Sequence, residues 1–153
     1  MPFRLLLAAC LVAACGGGGS GSGPAPVEGP TMAVEEFMQA VADSNLVRMS
    51  ELWGNANGPA ASTGQPNDYQ RRIQIMHAYL KGSTPRVLTT FPSQDGRVTA
   101  MVELRRAQCT KQVAFTTVRY RTRWLVYDID LAAVGVPGRA CAQEERRPPP
   151  RER

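Results

Sequence analysis

Apolar residues along the chain change their period once, near Pro85. Before it, Val34, Phe37, Met38 and Val41 recur at spacings of three and four, which gathers them on one stripe of an amphipathic helix, and Thr31 after Pro30 stands where an N-cap is expected. Asp43, Ser44 and Asn45 interrupt the stripe with residues that favour helix starts, and Leu46, Met49, Leu52 and Trp53 resume it as a second short helix up to Gly54. The following NANGPAASTGQPN, residues 55–67, is dense in turn formers and is expected to be a loop. Asn67 or Asp68 is expected to cap a third helix over 69–81, with Ile73, Met76, Tyr79 and Leu80 as its apolar face and Gly82 closing it.

Beyond Pro85 the pattern alternates. Residues 87–91 are few and rich in β-formers, 93–96 make a turn, and Val98, Ala100, Val102 and Leu104 then alternate with Thr99, Met101, Glu103 and Arg105 as in a half-buried strand. A turn near 107–110 leads to a strand over 112–120 with Val113, Phe115 and Thr117 on one face, 121–123 turn the chain again, and 124–131 is expected to be the last strand. Short consecutive connections favour an antiparallel meander. Helices first and strands afterwards define an α+β class, with the helices on one face of a curved antiparallel sheet. This domain is expected over residues 31–141, and the charged segment 142–153, with three prolines in a row, as a disordered tail.

Upstream of the domain the pattern is of another kind. Arg4 precedes an unbroken apolar run, residues 5–14, laid out like a secretory signal and far short of the roughly 20 helical residues a bilayer demands. The run ends in Val12, Ala13, Ala14 and Cys15, which resembles the lipobox of bacterial lipoproteins: an aliphatic residue, two small residues, then the cysteine that is acylated. Leu7, Ala8, Ala9 and Cys10 fit the same pattern, but cleavage there would leave an h-region of about five residues, below the usual 7 to 15, and an apolar mature N-terminus. Residues 1–14 are therefore expected to be a signal peptide and Cys15 the lipidated residue. After it, GGGGSGSGPAP has no side chains with which to pack, so 15–30 reads as a flexible tether. Acyl chains contribute about 0.8 kcal/mol per buried CH₂, and stable anchoring takes more than one. Gly16, by resemblance to diderm lipoproteins, is compatible with sorting to the outer membrane, facing the periplasm.

Charge and cysteine usage narrow the function classes. Removal of 1–14 takes away Arg4 alone and leaves 17 basic against 13 acidic side chains, a mild excess carried mostly by arginine. No basic cluster interleaves with aromatics, so no nucleic-acid partner is expected. With Cys10 leaving and Cys15 acylated, Cys109 and Cys141 remain, and an even remainder in an exported chain suggests one disulfide; two free thiols are the alternative. A bridge would close a loop of about 30 residues and stabilise by roughly 3 to 4 kcal/mol. His77 is the lone histidine and the cysteines lack paired spacing, so neither a metal nor a cofactor is expected.

The segment VEEFMQAVADSNLVRMSELWG, residues 34–54, resembles the opening of NTF2-like (cystatin-like cone) domains, in which a helix, a polar break and a second helix ending near an aromatic precede a curved sheet. RWLVYDIDL, residues 123–131, resembles their closing strand. The resemblance spans roughly 31–132 and implies a cone that in this superfamily hosts isomerases, dehydratases and ligand binders, so fold alone does not select an activity.

Candidate chemistry must come from individual residues. Asp128 and Asp130 lie two apart on the last strand and share a face with Trp124 and Val126; a buried carboxylate there would suit a general base, while the bland reading puts both acids outside, opposite Leu125, Tyr127, Ile129 and Leu131. His77 is an acid/base candidate without an evident partner, or a surface residue. Tyr127, like the other tyrosines, either donates into a pocket or fills the core. Arg119, Arg121 and Arg123 crowd one hairpin and suit an anion or headgroup, or simply a solvated turn. No Ser/His/Asp arrangement and no phosphate-cradling glycine loop is present. The leading expectation is a membrane-anchored, non-catalytic domain that binds a small apolar ligand or an envelope protein. The alternatives are a structural or assembly accessory and a cone-fold isomerase or dehydratase-like enzyme.

Overall fold

The computed structural model describes residues 29–107, 109–137 and 141. The expectations for the signal peptide, Cys15, the tether up to residue 28 and the tail 142–153 lie outside the described residues.

Helix α1 (Gly29–Ala42) buries Val34, Phe37, Met38 and Val41, the stripe that the apolar spacing predicts, together with Ala33 and Ala40. It begins two residues before Thr31, because Pro30 occupies a first-turn position where no N–H is required. Ser44, in the left-handed region at φ 54°, turns the chain, its N–H donating to Val41 O, and Asn45 N–H donates to Ala40 O. The Asn45 side chain then accepts from Arg48 N at 2.9 Å and starts α2 (Leu46–Leu52). One tripeptide therefore ends one helix and caps the next.

The expected loop over 55–67 instead contains a minimal hairpin, β1 (Gly54–Asn55) against β2 (Gly58–Pro59), and a single helical turn, α3 (Ala60–Thr63). The hairpin is too tight for a side chain at Gly54, where a Cβ would lie 2.3 Å from Gly58 O. Trp53 bridges Val126 in parallel and donates its indole N–H to Tyr127 O at 3.0 Å, which ties the hairpin to the last strand. Helix α4 (Tyr69–Leu80) buries Ile73, Met76 and Leu80, half-buries Tyr79 and is closed by Gly82, at φ 76°, while Asp68 stands at the N-cap position without the expected side-chain cap bond, its carboxylate accepting from Arg72 instead.

Strands β3 (Thr84–Pro92), β4 (Val98–Arg105), β5 (Thr110–Tyr120) and β6 (Arg123–Ile129) form an antiparallel meander in sequential order. β3 is nine residues long rather than the short strand expected over 87–91; it is an edge strand with one bulge and mostly exposed side chains, so its alternation is weak in the sequence. Val102 and Val113 pair on the core face, as do Ala100, Phe115 and Ile129, and the buried Thr117 hydroxyl is satisfied by Val98 O at 2.9 Å. The helices pack on this face of the curved sheet, an α+β architecture. Phe37, Met38, Met49, Leu80, Leu104 and Phe115, each at most 2% exposed, fill the space between the layers. Burying one such side chain stabilises by about 1.5 to 3 kcal/mol.

The last strand stops at Ile129, short of the expected 131. The Asp130 carboxylate accepts from Ala133 N at 3.1 Å and caps a final turn, α5 (Leu131–Val134), whose Val134 enters the core. Cys109 and Cys141 are disulfide-bonded with Cα atoms 5.5 Å apart, 32 residues apart in sequence.

Candidate functional site

A β-bulge decides where the predicted acids go. Thr116 pairs with Asp128 and Thr117 with Val126, so Tyr127 is the extra residue of β6 and the strand changes phase across it. Val126 and Ile129 both reach the core, Asp128 is exposed, and the shared face expected for Val126, Asp128 and Asp130 does not exist. Asp130 is exposed and occupied with its helix cap. Neither acid has the burial that a general-base role would need.

Tyr127 and Asp128 do come together, on the outside. They line a groove of about 390 Å³ with Trp53, Gly54, Asn55, Gln65 and Pro66. Arg97, which is not part of that lining, stacks over the Tyr127 ring with its guanidinium 4.1 Å from the centroid. Trp124 is partly buried against the main core instead, and His77, on the last turn of α4, has Nε2 3.2 Å from Ser44 Oγ. The five residues proposed from sequence thus form no single site. Gln65 and Pro66, which share the groove, belong to the segment read as loop and carried no chemical signal.

Two further grooves flank α2. One, about 360 Å³, is walled by Leu46, Val47, Ser50, Ala61, Tyr69, Gln70, Ile73 and Gln74 and is largely apolar. Helical spacing placed Leu46 in the core, yet it is 36% exposed and Val47 is 70% exposed. The other, about 460 Å³, lies among Arg48, Glu51, Pro59, Ala61, Ser62, Tyr120 and Arg123. Arg48 reaches Glu36 at 2.7 Å and Glu51 at 3.2 Å. Arg123 donates from Nη2 to Glu51 O at 3.1 Å, and its buried Nε has no acceptor among the described residues. Gly58 makes the wall possible: a Cβ there would lie 3.3 Å from both the Tyr120 ring and Thr63, at a φ of 138°.

Two charged groups away from the grooves serve the fold. The Arg72 guanidinium that donates to Asp68 holds this carboxyl below the usual carboxylate range. Burial lowers the pKa of Arg106, which donates to Ser83 Oγ at 2.8 Å and to Tyr79 O. Among the described residues no group of three or more His, Cys, Asp or Glu is placed to hold a metal ion, and no helix is long and apolar enough to cross a membrane. The site geometry is that of open grooves with aliphatic and guanidinium walls. No protein-family model, no curated protein and no solved structure matches the chain.

Proposed function

We propose that this chain is a bacterial lipoprotein, acylated on Cys15 and tethered to a cell-envelope membrane, whose NTF2-like domain binds a small apolar ligand or an envelope protein without catalysing a reaction. The observation that carries the reading is the Cys109–Cys141 disulfide. Such bonds persist in oxidising compartments, where a signal ending in Val12, Ala13, Ala14 and Cys15 would deliver the chain. With Cys10 removed and Cys15 acylated, no cysteine is left over. A helix, a polar break, a second helix running into Trp53 and then a curved sheet is the order that the NTF2-like part of the reading requires. Because large apolar side chains fill the space between helices and sheet, we place binding in the outer grooves. Exposed Asp128 and Asp130 offer the enzyme alternative no support.

Replacing Cys15 with Ser is expected to prevent acylation, shifting the mass of the chain by loss of the lipid and retention of residues 1–14, and to weaken its hold on membranes. A Cys15→Ser protein that fractionates wholly with membranes at unshifted mass would sink the anchor reading. Native mass spectrometry of the chain purified from cells tests the binding half.

A further inference from the structure

The apolar groove and the arginine-lined groove are neighbours. Ala61 lines both, and α2 stands between them, giving Leu46, Val47 and Ser50 to one and Arg48 and Glu51 to the other. We propose that together they bind one anionic phospholipid, its phosphate held at the β5–β6 hairpin by Arg123 and Arg121 and an acyl chain laid along Leu46, Val47 and Ile73. The inference rests on the binding half of the proposed function and is independent of acylation at Cys15.

Three observations carry it. First, α2 already buries Met49 and Leu52 on its inner face, at no more than 1% exposure, so the core does not need Leu46 and Val47, which line an outer groove instead. An aliphatic surface of that kind matches an acyl chain. Second, the hairpin holds cations without counter-ions. Arg119, Arg121 and Arg123 make no ion pair among the described residues, whereas nearby Glu36 and Glu51 are both bonded to Arg48. Third, the guanidiniums are held in place. Arg119 Nε donates to Arg121 O at 3.2 Å, Arg121 stacks 5.1 Å over the Tyr120 ring, and that ring rests against Gly58. Arg123 is fixed through Nη2 on Glu51 O, and Nη1 has no acceptor among the described residues. A planar guanidinium fork with free donors matches phosphate oxygens. A free inorganic anion would satisfy the arginines alone, and an uncharged lipid the aliphatic groove alone.

The test is hydrogen exchange on the full chain carrying Cys15→Ser, mixed with vesicles of phosphatidylcholine alone or with phosphatidylglycerol added. Protection of amides 46–52 and 119–124 is expected with phosphatidylglycerol and not without it. In co-sedimentation, Arg121→Gln with Arg123→Gln is expected to weaken binding to the anionic vesicles about thirtyfold, from about fivefold per arginine. Should the double variant fail to fold, the exposed Arg121→Gln alone is expected to give the fivefold loss, and Val47→Asp to weaken binding without changing the hairpin. Equal protection on both vesicles, protection confined to residues before 29, or the same protection from inorganic phosphate alone would each overturn the proposal. None of these outcomes bears on whether Cys15 is acylated.

Discussion

Where β4 turns into β5, Arg86 and Arg105 both reach Glu103, at 3.2 and 3.4 Å, Arg106 reaches back to Ser83 and the end of α4, and the disulfide fixes Cys109. At the opposite end of the sheet, Arg119, Arg121 and Arg123 make no ion pair among the described residues, and Arg97 keeps a loose pair with Asp95 at 3.9 Å. The same residue type does two kinds of work in one sheet. At the first end arginines close a structure; at the second they are held by stacking and backbone contacts, with charge to spare. Counting arginines cannot separate these roles, but finding what each one donates to does.

The contrast predicts unequal costs. Removing the disulfide with Cys109→Ser and Cys141→Ser is expected to lower the stability of the chain by about 3 to 4 kcal/mol, read from urea unfolding, since it frees a 32-residue loop. No change in the unfolding midpoint would mean that the first end is not braced as described. Arg106→Met comes next, at about 1 to 3 kcal/mol, because it strips charged hydrogen bonds from Ser83 Oγ and Tyr79 O while keeping the apolar stem. Arg121→Gln is the smallest, within about 0.5 kcal/mol, since an exposed side chain with no ion pair among the described residues leaves little to lose. A loss there as large as at Arg106 would erase the distinction between the ends.

The elements legible in the sequence are those with a long, one-sided pattern. The stripes of α1 and α4 and the alternation of β4 and β5 each span eight residues or more and bury one face. What was missed is short or out of phase. Strands of two residues carry no period, so β1 and β2 hid inside a run of Gly, Asn and Pro. Strand β3 lies at the sheet edge with most of its side chains in solvent, which erases alternation. The bulge at Tyr127 spoiled the reading of the candidate site most, because one extra residue moves every later side chain to the other face. Asp130 was legible as an acid but not as a cap, which needs the strand to end at Ile129. The grooves beside α2 depend on how three short helices meet, and no single element encodes that.

The bond from the Trp53 indole to Tyr127 O, 74 residues downstream, also sets an order of assembly. A chain emerging from its N-terminus presents α1 and α2 long before β6 exists, so Trp53 lacks its partner until the end of the domain is made. Contacts of such span carry a large loop-closure cost and slow the final docking step. The domain is therefore committed to its native state late, when its last strand arrives, and until then the nascent helices are a surface that quality-control proteins can recognise.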